Sequence, residues 1–448
     1  MDDNFLKKAS ETILQRNVID RELYTKFDVK RGLRNADGSG VLAGLTQISS
    51  VVGFRKEGDK IVPVDGELYY RGIHIRDIVK GLQADNRHGF SEVSYLLLFG
   101  RLPNKSELEE YEEHLKQQMH LPKLFVENSI LQFISPNVMN ALQRDVLTLY
   151  TLDDNPDDIA IPNVVRQCLN IIAKFPSIIA YSYNALLYEF GNKQLIIRAP
   201  REDYDIAENF LYMLRPGGEF SELEAELLDL ALVLHAEHGG GNNSAFTMHV
   251  VTSSHTDTYS AVSAAIGSLK GPLHGAANSY VRDMIKDFMK NVKHWDNEKE
   301  VAAYIEKIIR KEAFDGKGLI YGMGHAVYTK SDPRAIILKE KARELAEEKG
   351  RLDEFYLYDL IERLTPGIFR EVKQSDKVIS ANVDFYSGFV YDMLGFPQEI
   401  FTAIFAMARI VGWSAHRIEE LINGGRIIRP AYKGVAGRQD YIPLDRRN

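Results

Sequence analysis

The chain has 448 residues, 45% of them hydrophobic and 26% charged, with 55 Lys and Arg against 63 Asp and Glu, a net charge of −8. This is the composition of a compact globular protein, and it excludes collagen-like, coiled-coil and largely disordered chains. An acidic balance without a basic face or tail also excludes a nucleic-acid partner, since nothing could neutralise a run of phosphates.

The N-terminus, MDDNFLKKASETILQRN, starts acidic and lacks both the apolar centre of a signal peptide and the acid-free, Arg-rich pattern of a transit peptide. Strand signals follow at VVGF and KIVPVDGELYYRG, where Asp65-Gly66 between short apolar runs predicts a small hairpin. Helical spacing then dominates, through FSEVSYLLLFGRL and SELEEYEEHLKQQM to NVVRQCLNIIAKF. The single cysteine there, Cys168, reads as a buried structural thiol; with no disulfide possible inside the chain, a reducing, cytoplasmic location fits best. ENFLYML and SELEAELLDLALVLHAEH continue the pattern, the latter entered through a Ser221/Glu224 capping box.

In SDPRAIILKEKARELAEEKG, Asp332 can cap, Pro333 suits the first helical position and Gly350 can close a surface helix with Ile336, Ile337, Ala342 and Leu345 on its apolar side. From Pro397 to Gly424-Gly425 the pattern is apolar on nearly every face for five turns, which belongs in a protein interior or at an interface. No run approaches the ~20 uninterrupted apolar residues of a membrane span. The chain is mainly α, and neither repeats nor a low-complexity linker mark a domain boundary.

Four of the twelve histidines stand beside glycine-rich or small-residue turns: His235 and His238 in LHAEHGGGNNSAF, His274 in KGPLHGAAN and His325 in IYGMGHAVYTKSDPRA. Glycine permits close backbone approach, and helix ends can hold a neutral imidazole against a developing oxyanion. Asp384, in SANVDFYSG between Val383 and Phe385, is the carboxylate that partial burial would tune as a base. His235 and His238 share a helical face, but without the Glu of a zincin motif or a third ligand nearby they predict no metal. Arg409 lies inside the apolar helix, where a guanidinium needs an anion; Arg334 and Arg429 are further candidate forks for carboxylates.

GPLHGAAN, GMGHAVYTKSDPRA and NVDFYSG, followed by FTAIFAMARIVGW and RPAYKG, resemble the signature blocks of the citrate synthase family. GELYYRGIHIRDIV, FSEVSYLLLFGRLP, DYDIAENFLYML and LHAEHGGGN extend the resemblance over roughly residues 40 to 445. It implies a two-domain, mostly helical homodimer, with a large domain from residues 1–279 and 393–448 and a small inserted domain at 280–392. It assigns His274, His325 and Asp384 as the catalytic set and His238, Arg334, Arg409 and Arg429 as the oxaloacetate clamp, Arg429 reaching across from the partner subunit. His235, Asn242 and Lys330 would support them. The implied substrates are oxaloacetate and acetyl-CoA, with no resident cofactor and no metal.

Departures from the family pattern concern mainly CoA: Ala326 follows the histidine of the GHxVY block, Thr329 stands where a basic residue is frequent, with Lys330 beside it, and Ala431 replaces a second basic residue. Gly239 occupies a position that is often acidic. The nearest rival activity is 2-methylcitrate synthesis from propionyl-CoA on the same machinery. A non-catalytic helical scaffold would need none of these histidines, Asp384 or the arginines, and a metal hydrolase would need stoichiometric zinc.

Overall fold

The computed structural model describes residues 3–35, 38–58, 60–275 and 277–447, and these fall into two compact units that divide between Leu45 and Thr46. The first carries the helices Asp3–Arg16 and Glu22–Lys26 and a single 3-10 turn, Arg31–Leu33. The second carries a small sheet followed by a long series of helices, and all the candidate site residues lie within it.

The sheet consists of β1 (Ser49–Glu57), β2 (Lys60–Tyr70) and β3 (Ile73–His74), antiparallel and in sequence order. Its geometry corrects the expected hairpin at Asp65-Gly66. The chain reverses between Glu57 and Lys60 instead, and Asp65-Gly66 sits inside β2, where the register shifts from Val52 opposite Glu67 to Phe54 opposite Pro63. Val64, Asp65 and Gly66 therefore bulge opposite Gly53, and the bulge receives the segment that follows His325. Gly66 N donates to Ser331 Oγ at 3.1 Å, and Thr329 Oγ1 donates to the Gly53 carbonyl at 3.1 Å. A Cβ at Gly53 would lie 2.2 Å from the Val327 carbonyl oxygen, so only glycine allows this approach.

The interior is organised around the helix Phe401–Asn423, entered through the 3-10 turn Gln398–Ile400 and ended at Gly424, as its all-round apolar sequence predicts. It packs against the helices Phe90–Phe99, Ile161–Gly191, Glu222–His235, Asn243–Thr252 and Thr258–Lys270. Ile404, Ile410, Val411 and Trp413 have no exposed surface; burying side chains of this size contributes about 1.5–3 kcal/mol each. Cys168 is buried in Ile161–Gly191. The Ser221/Glu224 capping box forms in both directions, Glu224 N to Ser221 Oγ at 3.3 Å and Ser221 N to Glu224 Oε2 at 2.9 Å.

The helix Pro333–Glu348 is capped by Asp332 as expected, but its first turn is not at the surface: Pro333, Arg334 and Ala335 are buried, whereas Ile336 is turned outward at 36% exposure. The reason is its contact with the helix Val383–Met393, against which it packs. Beyond Asn423 the chain is extended and largely exposed, apart from a turn at Leu444–Arg446. Among the described residues no helix is long and apolar enough to cross a membrane.

Candidate active site

Two distant sequence blocks meet through backbone pairing. Met323 and Ala381 form an antiparallel bridge, Gly324 N donates to the Ser380 carbonyl at 2.7 Å, and Asn382 N donates to the Gly322 carbonyl at 2.9 Å. Asn382 Nδ2 adds a bond to the Gly324 carbonyl at 2.8 Å while its Oδ1 caps the next helix through Asp384 N at 3.0 Å. This seam puts the His325 turn beside the first turn of Val383–Met393. Burial raises the Asp384 carboxyl to about 6, against the opposing influence of Arg334 and Arg409. A carboxylate in that range is poised to exchange a proton near neutrality.

Hydrogen bonds define the His325 tautomer. Its Nδ1 accepts from Val327 N at 3.0 Å and Tyr328 N at 3.1 Å. Both donors are backbone amides, so the ring proton resides on Nε2. Burial and then the Arg334 guanidinium push the imidazole down to about 4, so it stays neutral. The ring stacks on Tyr328 at 4.8 Å and meets His238 edge-on at 5.1 Å.

His238 is half-buried and its Nε2 has no hydrogen-bond partner; burial and the nearby Arg334 and His325 hold it well below the usual imidazole range. His235, at the end of Glu222–His235, is fully buried, its Nδ1 is bonded to the Ala231 carbonyl at 2.6 Å, and burial lowers it to about 3. Its own carbonyl accepts from Arg409 Nε at 2.8 Å. Arg409 is 1% exposed, lies 4.7 Å over the Phe405 ring and, among the described residues, has no carboxylate within ion-pair distance. Burial lowers it to about 10, still a cation at neutral pH. Arg334, also buried, is held differently: Nε and Nη2 grip Asp332 at 3.1 and 2.8 Å, which leaves Nη1 without a hydrogen-bond partner among the described residues.

His274 feels the Arg409 charge from the turn that follows the helix Thr258–Lys270. Ser244 N donates to its Nε2 at 3.3 Å, and Ser244 Oγ lies 2.9 Å from the same nitrogen. The proton is therefore on Nδ1, the opposite tautomer to that of His325. Burial and the Arg409 charge lower this imidazole to about 4. Trp413 Nε1 fixes Ser244 Oγ at 3.1 Å, and Asn242 caps the same helix through Ala245 N at 3.0 Å. His235, His238, His325, Arg334, Arg409 and Asp384 thus form one electrostatic neighbourhood, with His274 coupled to it through Arg409. Arg429 and Lys330 are not part of it: both are exposed and neither makes a hydrogen bond or ion pair among the described residues. The potential metal ligands that cluster among the described residues are His88, Asp205 and Asp229, not His235 and His238.

The family model for the C-terminal domain of citrate synthase matches residues 36–431. The chain belongs to the citrate synthase family. Citrate synthase 2 of Bacillus subtilis is 36% identical over 413 residues, covering 91% of this chain and 98% of that protein. A 2-methylcitrate synthase of Shewanella oneidensis is 32% identical, covering 85% and 92% respectively. The crystal structure of citrate synthase from Thermotoga maritima superposes with a TM-score of 0.73 at 31% identity, over 94% of this chain and 99% of that one.

Within this citrate synthase fold, several residues that shape the site escape a sequence reading. Asp332 is legible as a helix cap, yet it also clamps Arg334 and accepts from Val383 N at 3.1 Å. Ser244 and Trp413 set the His274 tautomer from two other helices, and no spacing rule links positions so far apart. Glu237, between His235 and His238, carries a signal in retrospect, because an acidic residue flanked by two site histidines at a helix end has to be neutralised by something.

Proposed function

We propose that this member of the citrate synthase family condenses acetyl-CoA with oxaloacetate and water to give citrate and CoA, acting as a cytoplasmic homodimer without a resident cofactor. The observation that carries this reading is that two neutral histidines with opposite, hydrogen-bond-defined tautomers and a carboxyl raised to about 6 all lie under the influence of the buried guanidiniums Arg334 and Arg409. Asp384 takes a proton from the acetyl methyl group, and the C–H electron pair moves into the enolate. Nδ1–H of His274 donates to the thioester oxygen as negative charge builds there. The enolate carbon attacks the ketone carbon of oxaloacetate, and Nε2–H of His325 polarises that ketone and protonates the resulting alkoxide. Water then cleaves the citryl-CoA thioester, releasing citrate and the thiol.

His238, Nη1 of Arg334 and Arg409 hold the keto acid, with Arg429 reaching in from the other subunit. A buried guanidinium without a protein carboxylate of its own, as at Arg409, is worth most to a dianion. Residues 280–392, carrying His325, Arg334 and Asp384, act as the small domain that closes over oxaloacetate on the large domain formed by 1–279 and 393–448.

The Shewanella relative keeps a second reading in view, since one methylene changes selectivity by only about 1–3 kcal/mol. Steady-state thiol release from acetyl-CoA and propionyl-CoA, each with and without oxaloacetate, tests both. Release from acetyl-CoA that requires oxaloacetate, with propionyl-CoA slower, is expected. The reverse preference assigns 2-methylcitrate synthesis, and equal release without oxaloacetate sinks the condensation mechanism.

A further inference from the structure

Glu237 is fully buried one residue from His238, and its two oxygens are treated unequally. Oε1 accepts from Ser49 Oγ at 2.9 Å, Gly239 N at 2.5 Å and His416 Nε2 at 3.0 Å, whereas Oε2 has no partner. That free oxygen and Arg409 share one corner. A Cβ on Gly412 would sit 2.2 Å from Glu237 Oε2 and 3.3 Å from Arg409 Cδ. A buried carboxylate and a buried guanidinium so close are expected to pair, yet Arg409 makes no ion pair among the described residues.

His416 offers the alternative partner. Its Nδ1 lies 3.1 Å from His249 Nε2, and His249 Nδ1 lies 2.8 Å from Glu420 Oε2, so two imidazoles bridge two carboxylates. Carboxylates only accept, so both outer nitrogens carry protons, and the inner nitrogens share one more. Three protons on four ring nitrogens make one ring an imidazolium. His416 is the one that carries it: beside Glu237 its ring is raised to about 9, while His249 is lowered by burial and by His416 itself. Glu419 also faces His416, 3.8 Å from Nδ1 and bound by Gln47 N at 2.7 Å; Ser49 Oγ from β1 donates to the Glu237 carboxylate and the Tyr70 phenol from β2 donates to the Glu237 carbonyl.

We infer that His416 is a positioning residue for keto-acid binding: as an imidazolium it occupies the Glu237 carboxylate and so leaves the Arg409 guanidinium open to a substrate carboxylate. The inference rests on Arg409 being part of the oxaloacetate clamp. Without the imidazolium, Glu237 would be a buried anion whose nearest available cation is Arg409, and oxaloacetate would have to displace it.

The test measures KM for oxaloacetate and kcat in His416→Gln, Glu237→Gln and the double variant, with thermal unfolding as a check on folding. His416→Gln is expected to raise KM about tenfold or more with a smaller change in kcat, the scale of one lost charge-assisted contact. The double variant, in which two amides replace two charges, should return KM to within about threefold of wild type. A double variant as impaired as His416→Gln, or an unchanged KM in His416→Gln, overturns the inference. If His416→Gln does not fold, 15N NMR of wild-type histidines decides: a charged His416 ring from pH 6 to 8 is expected, and a neutral one contradicts the proposal. Absence of oxaloacetate saturation in wild type would instead count against the condensation reading, and the NMR result stands apart from it.

Discussion

The cluster around His238 and the segment after Asn423 follow opposite rules. In the cluster every ionisable group is held by a named partner or by burial: Arg334 by Asp332, Arg409 by a carbonyl and a phenyl ring, His274 and His325 by backbone amides. In the C-terminal segment Arg429 is exposed and makes no hydrogen bond or ion pair among the described residues, and residues 424–447 are largely extended and exposed, with Ile428 N donating to Ser253 Oγ at 3.0 Å. An extended arm carrying a family-matched arginine that makes no ion pair among the described residues is the arrangement a site completed across a subunit interface requires.

The largest expected effect lies within the cluster. Asp384→Asn keeps size but cannot accept the methyl proton, so turnover should fall by about 10²–10⁴-fold, while oxaloacetate still raises the unfolding temperature. Turnover within threefold of wild type removes Asp384 as base; loss of the thermal shift points to a collapsed clamp. Arg429→Ala should come next, at about 2–4 kcal/mol in kcat/KM, because a desolvated substrate carboxylate loses its bidentate partner, with no change in unfolding temperature since Arg429 is exposed and makes no hydrogen bond or ion pair among the described residues. A drop in stability equal to that of a core variant would blur the contrast between the two regions.

Gly53→Ala probes the support beneath the cluster. The added Cβ collides with backbone, not with a flexible side-chain end, and should destabilise by about 1–3 kcal/mol, read by thermal melts, as the His325 segment is pushed from the sheet. An unchanged melt shows that the bulge yields. The mildest effect is that of pH. With Asp384 at about 6 and both catalytic histidines at about 4, kcat/KM should rise with pH, reach half its plateau near 6 and level off above about 7, falling to roughly a tenth of the plateau near pH 5, with no descending limb from His274 or His325. The same shift has a stability sign: a carboxyl raised on folding stabilises the protonated fold, and that contribution is lost as pH rises through about 6. Asp384→Asn should therefore melt no lower than wild type at pH 8.

The helices were legible because their signals are local. The Ser221/Glu224 box, the Asp332-Pro333 entry and the all-round apolar run ending at Gly424 each depend on a few neighbouring residues, and each forms as read. Asp65-Gly66 misled for the complementary reason: the pair is turn-like in isolation, but tertiary contact with Ser331 and the 327–331 segment turns it into a bulge. The site histidines and Asp384 were legible through family blocks, whereas their tautomers were not, since Ser244, Val327 and Tyr328 act through backbone amides that any residue carries. Glu237 and His416 stand 179 positions apart, and only the fold makes them a pair.

The most direct test of a site shared between core and arm mixes two dead variants, Arg429→Ala and Asp384→Asn, under conditions that exchange subunits, with mixed dimers confirmed by native mass spectrometry. If Arg429 acts across the interface, each mixed dimer collects both lesions in one site and leaves the other intact, so an equal mixture should recover about a quarter of wild-type activity. No recovery despite confirmed mixed dimers would contradict the account and return Arg429 to its own chain's site or remove it from catalysis.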